Sequence, residues 1–150
     1  MTINTLRTGH VGVNVTDLDR SLSFYQRVFG FEVQAEGREP GRRWAFLGRD
    51  GRLQVTLWEQ SDAPFSARAA GLHHLSFQVE TVEEVRATER VLRELDAAFA
   101  HDGVVPHGEG ASSGRIFFSD PDGTRLEIYA PTGAGTAPAL SGAAPTCGFF

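Results

Sequence analysis

The chain has a single cysteine, Cys147, among 150 residues. That excludes an internal disulfide framework and a zinc site built from cysteines. There is no basic run, and the formal net charge is −5, so the electrostatic footprint of a nucleic-acid-binding protein is missing. No apolar run approaches the ~18 residues needed to span a bilayer. The opening MTINTLRTGHVGV lacks the apolar core of a secretory signal. These absences lead us to expect a soluble, cytoplasmic protein with neither a membrane nor a nucleic acid as partner. What is present is core material. The chain is 41% hydrophobic and has eleven phenylalanines, enough for one compact domain or two half-domains.

A repeat organises the chain. TGHVGVNVTDL (8–18) aligns with LHHLSFQVETV (72–82), so that His10 falls on His74, Val11 on Leu75, Val13 on Phe77 and Val15 on Val79. The alternation predicts a strand in each copy. His74 would share a polar face with Ser76 and Gln78, and His73 would share the apolar face with Leu75, Phe77 and Val79. A helical pattern follows each strand. The first carries Leu18, Leu22, Tyr25, Val28 and Phe29, with Thr16 or Asp17 as cap and Gly30 as stop. The second carries Val82, Val85, Leu92, Leu95 and Phe99. Each copy ends in hairpin-like segments, WAFLGRDGRLQVTLWE (44–59) and GRIFFSDPDGTRLEIYA (114–130). Setting RLQVTLW on RLEIYAP places Gln54 on Glu127. The class is therefore α+β. Two βαβββ modules, about 8–60 and 72–131, make one domain over 1–131, with 60–71 as linker. Residues 132–150 form a tail rich in Gly, Ala and Pro, expected to be anchored by its terminal GFF, with Cys147 away from any base.

The repeat also gathers chemistry. His10 and His74 begin matching strands, and Gln54 and Glu127 lie in the last strands. Two imidazoles and a carboxylate suit one divalent metal ion, and Gln54 is a fourth candidate ligand or a hydrogen-bonding neighbour. Each residue alone has a plainer explanation as a packed or surface side chain; the coincidence of matched positions favours the site. Trp58, Tyr129, Phe117 and Phe46 are candidates for a substrate pocket, with Trp58 and Tyr129 on the faces of Gln54 and Glu127.

HVGVNVTDLDRSLSFYQRVFGFEV, GLHHLSFQVETVEEV and FFSDPDGTRLEIYAP together resemble the vicinal oxygen chelate superfamily, which includes glyoxalases, bleomycin-resistance proteins and extradiol dioxygenases. The resemblance covers about residues 7–131. It implies two βαβββ modules forming a cupped mixed β-sheet around a metal, with helices outside, usually in a homodimer. It also implies metal ligands at His10, His74 and Glu127, with a further ligand position at Gln54.

The second module is similar to extradiol dioxygenases, which implies Fe2+ and a substrate-contacting histidine at His107. Three departures stand beside that likeness, the first a slightly long spacing from His107 to the following β run. Phe117 occupies a position where those enzymes have tyrosine, and no histidine lies between residues 11 and 72. The alternative is a glyoxalase- or epimerase-like lyase or isomerase, in which Zn2+, Ni2+, Co2+ or Mn2+ stabilises an enolate and Glu127 moves the proton, with His107 or Glu109 as a further base. A third reading is a non-catalytic small-molecule binding or resistance protein. The arginines of GREPGRR (Arg38, Arg42, Arg43) are expected to be a solvated loop, or else to grip an anionic substrate.

Overall fold

Asp17 starts the first helix as its cap: its side chain accepts from the backbone N–H of Arg20 at 2.9 Å, satisfying one of the helix's open donors. Gly30 ends it in the left-handed region, at φ 65°. This structure, a computed structural model, describes residues 2–108, 112–133 and 146–148. They divide into two compact units, residues 1–64 and 65–150.

The first unit runs β1 (Val11–Asn14), α1 (Leu18–Phe29), β2 (Glu32–Gly37), β3 (Trp44–Arg49) and β4 (Arg52–Trp58). Its four strands lie in the order β1-β4-β3-β2, with β1 parallel to β4 and the other pairs antiparallel. The helical stripe Leu18, Leu22, Tyr25, Val28 and Phe29 is buried, and α1 packs on β3 and β4. The second unit runs β5 (Leu75–Gln78), α2 (Val82–Glu94), β6 (Gly114–Ser119) and β7 (Arg125–Ala130), followed by a short 3-10 turn, Thr146–Gly148. Its strand order is β5-β7-β6, and α2 packs on β6 and β7. Thr81 and Glu84 cap α2 reciprocally. No helix among the described residues is long and apolar enough to cross a membrane.

Two expectations need correcting. The helical pattern to Phe99 overruns: α2 ends at Glu94, Asp96 turns the chain at φ 52°, and Phe99 bridges antiparallel to Phe118. Among the described residues the second module is βαββ. Its missing strand is reduced to the isolated bridges Phe99–Phe118 and Val105–Arg115. The sequence there explains it: Gly103 sits at φ 69°, and Pro106 has no N–H to give a ladder.

The second correction concerns register. Gly12 lies opposite Thr56, and Ser76 opposite Glu127. Phe46 lies opposite Thr56, and Phe117 opposite Glu127. The backbone N–H of Val15 donates to Trp58 as that of Val79 does to Tyr129, both at 2.8 Å. Thr56, not Gln54, is therefore the counterpart of Glu127. Gln54 is the extra residue of a β-bulge, because Leu47 pairs with Val55 and Gly48 with Leu53. Gly48 permits this crowding: a side chain there would strike the Arg52 carbonyl and the Gln34 amide. The second hairpin has no bulge. It turns through residues 120–124, where the Asp120 carboxylate accepts from the N–H groups of Asp122 and Thr124 at 2.9 Å each. Similar Asp-Gly turns at different places in the two hairpins make a sequence alignment slide by two residues.

Candidate metal centre

β7 is the central strand of the second sheet, so a residue on it meets neighbours on both sides. Glu127 lies opposite Ser76 on β5 and Phe117 on β6. Strand alternation puts Arg115 and Tyr129 on the same face as Glu127, while Leu126 and Ile128 are buried on the other.

Glu127 is 2% exposed. One carboxylate oxygen, Oε1, accepts from Arg115 Nη1 at 2.5 Å, and the other, Oε2, lies 3.4 Å from His74 Nε2. Burial pushes the Glu127 carboxyl above its ordinary range, against the Arg115 charge, a Ser76 hydrogen bond and His107, which pull it down. Burial also pushes the His74 imidazole below its ordinary value, helped by the adjacent His73 and by the charges of Arg115 and Arg125.

The two adjacent histidines do not point apart. β5 begins only at Leu75, so ladder alternation does not reach them. Their rings meet edge to face at 5.1 Å, and Nδ1 of His73 lies 2.8 Å from Nδ1 of His74. Arg125 Nη1 is 3.5 Å from His73 Nε2. His74 thus has one ring nitrogen held by His73 and the other turned to Glu127.

His74, Arg115 and Glu127 line an open cavity of about 700 Å³, whose wall also includes Ser76, His107, Tyr129 and Cys147. Cys147 corrects the expectation that it stands apart. Ligand atoms of His74, Glu127 and Cys147 all lie within 4.8 Å of one another. The turn that brings it there is tied by Thr146, whose N–H donates to the His107 carbonyl at 2.8 Å and whose hydroxyl donates to the carbonyls of Pro106 and His107. The terminal phenylalanines expected to anchor the tail lie outside the described residues, as does Glu109.

The other candidates belong to both units. His10 is exposed, just before β1 in the first unit. Phe46 and Trp58 belong to that unit and form an aromatic cluster with Trp44, at centroid distances of 4.7 to 6.1 Å. The matched positions of the second unit are Phe117, Tyr129 and Arg115. Tyr129 lines the cavity, its hydroxyl donating to Gln78 at 2.9 Å. Phe117 is fully buried against His101 and outside the cavity wall. His107 is in the wall, with its Nδ1 buried and without a partner among the described residues. Arg38 and Arg43 are engaged by acidic residues: both bind Asp19, and Arg43 also binds Glu59.

Sequence reasoning passed over Arg115, Ser76 and Cys147. Arg115 was within reach, because it lies two residues from Phe117, the cross-strand partner of Glu127. For Cys147 no local signal exists.

A pH effect follows from the depressed His74. Its folded-state pKa is below the unfolded value, so the unfolded chain takes up the proton first. The metal-free protein should therefore lose stability relative to His74→Gln as pH falls through the ordinary imidazole range near ~6.5. Urea midpoints of both proteins from pH 8 to 5 would show it; parallel curves would count against it.

An imidazole, a carboxylate and a thiol converging on one face of a small mixed sheet, within a repeated β-α-β chain, define a candidate metal-binding α+β domain. The family model described as "Glyoxalase/Bleomycin resistance protein/Dioxygenase superfamily" matches residues 7–128, and the chain belongs to this family. It is 30% identical over 128 residues to a catechol-2,3-dioxygenase of Bacillus subtilis; the match covers 81% of this chain and only 40% of that enzyme. A glyoxylase/bleomycin resistance protein/dioxygenase domain from Frankia sp. EAN1pec superposes with a TM-score of 0.72 at 24% identity, covering 85% of this chain and 99% of that one. The fosfomycin resistance protein FosX of Listeria monocytogenes, solved with Mn(II) and sulfate, superposes with a TM-score of 0.65 at 21% identity, covering 87% and 95%.

Proposed function

We propose that the protein is a divalent-metal-dependent enzyme acting on a small oxygenated molecule, with Fe2+ dioxygenase-like chemistry as the leading form. The observation that carries this is the facing pair His74 Nε2 and Glu127 Oε2, 3.4 Å apart, each with its other polar atom already held, by His73 and by Arg115. That is how metal ligands are oriented by their neighbours. The donor set fits a divalent ion. His74 and Glu127 would hold it; His10 and Gln54, the other ligand candidates of the repeat, belong to the first unit.

Bound there, such an ion supplies a Lewis acid for substrate oxygens and, as iron(II), reactivity toward dioxygen. The chain supplies the rest. Arg115 fixes the Glu127 carboxylate in place. His107 stands in the cavity wall as a candidate substrate contact. Tyr129, oriented by Gln78, gives a flat surface for a ring. The similarity to the B. subtilis catechol-2,3-dioxygenase supports the dioxygenase form. A homodimer in the cytoplasm belongs to the same proposal.

A second reading is supported by Glu127 itself. Burial raises its pKa, which moves a carboxyl toward the range where it can shuttle protons. This favours a glyoxalase- or epimerase-like lyase or isomerase using Zn2+, Ni2+, Co2+ or Mn2+. A non-catalytic binding or resistance protein is the third.

Elemental analysis of protein purified without added metal, with oxygen-uptake assays on catechols, separates them. Iron with catechol-dependent uptake is expected. Another divalent metal without uptake would transfer the proposal to the lyase or isomerase. His74→Ala should empty the site. His73→Ala should weaken metal affinity about 10- to 100-fold, as loss of an orienting partner does. Metal absent from the wild type, or unchanged in His74→Ala, would sink both enzyme forms.

A further inference from the structure

We infer that Cys147 is a metal ligand: the C-terminal turn delivers its thiolate to the ion that His74 and Glu127 hold. The inference rests on the metal reading above and adds a ligand to it.

Convergence comes first. The sulfur, a His74 nitrogen and a Glu127 oxygen lie within 4.8 Å of one another, close enough to share one ion after small side-chain adjustments. Cys147 is also held there. Thr146, 1% exposed, makes three hydrogen bonds to the Pro106 and His107 carbonyls, and this fixes the preceding residue of the turn.

The surroundings are those of a ligand rather than of a packing residue. A structural cysteine behaves as a small apolar side chain, whereas this one faces imidazole, carboxylate and guanidinium in a cavity wall. The same wall holds two buried polar atoms without partners among the described residues. They are Nε of Arg115, a residue only 6% exposed, and Nδ1 of His107.

Charge supports the assignment. Glu127 is already neutralised by Arg115. A divalent ion added to that pair leaves two positive charges uncompensated, a costly arrangement in a partly buried site. A thiolate removes one of them, and an anionic substrate can remove the other. The thiol proton leaves to solvent on coordination, as metal binding to cysteine requires. A sulfur ligand also biases the site toward Zn2+, Co2+ and Fe2+ and away from Mg2+ and Ca2+.

The test is Co2+ added to the metal-stripped, untagged full chain without oxygen. Cobalt bound through nitrogen and oxygen shows visible d–d bands, and a sulfur ligand adds a thiolate-to-cobalt band in the near ultraviolet. The chain has one cysteine, so that band can have no other source. We expect both sets of bands in the wild type, loss of only the near-ultraviolet band in Cys147→Ser, and a weaker one in Thr146→Val. Loss of all bands is expected in His74→Ala. Visible bands without the near-ultraviolet band in the wild type would overturn the role of Cys147 and leave the metal reading intact. A near-ultraviolet band surviving Cys147→Ser would overturn it too. No cobalt binding to the wild type would overturn both.

Discussion

Glu127→Ala is expected to destabilise the metal-free protein by about 3–5 kcal/mol, the usual cost of leaving one half of a buried ion pair behind. The Arg115 side chain is 8% exposed, its Nη1 donates to Glu127, and its Nε has no partner among the described residues. Without the carboxylate, the guanidinium keeps a 3.3 Å contact to Ser113 and its place over the Tyr129 ring, 4.9 Å from the ring centre. Neither contact offsets a buried positive charge. The double variant Arg115→Met with Glu127→Leu removes both charges and fills similar space. It should recover most of the lost stability, because apolar replacement of a buried pair is often neutral or favourable. Urea midpoints of the two single variants and the double one close a cycle whose coupling energy isolates the pair. A Glu127→Ala protein as stable as the wild type would mean that Arg115 reaches water without cost.

Phe117→Ala should cost about 3–5 kcal/mol in thermal or chemical unfolding, the range for emptying a buried phenylalanine site. Phe117 has no exposed surface, sits mid-strand on β6 opposite Glu127, and receives the His101 ring edge-on at 5.5 Å. Its removal leaves a cavity walled by strand backbone, which collapses poorly. Since Phe117 is outside the cavity wall, Phe117→Leu should keep metal binding while losing some stability. Loss of metal at unchanged stability would place the ring in the site after all.

Which parts of this were legible beforehand follows from the range of the forces involved. Helix α1 was legible to its last residue because cap, apolar stripe and terminal glycine are all local: Asp17, the Leu18-to-Phe29 stripe and Gly30. The end of α2 was less so. Leu95 and Phe99 continue a helical spacing, yet Phe99 is drawn to Phe118 on a strand far along the chain. Side-by-side histidines invited a strand argument, but the ladder that enforces alternation starts at Leu75.

The repeat, the α+β class and the positions of the helices were determined by sequence alone, since periodicity and spacing encode them. Only the tertiary structure decided that Thr56 rather than Gln54 matches Glu127, that Arg115 holds one carboxylate oxygen, and that Cys147 returns to the site. Register depends on a bulge accommodated at Gly48. The ion pair depends on cross-strand pairing. The thiol's position depends on three hydrogen bonds from Thr146 to Pro106 and His107. Each is a contact between distant parts of the chain, and no local pattern of residues carries such a contact.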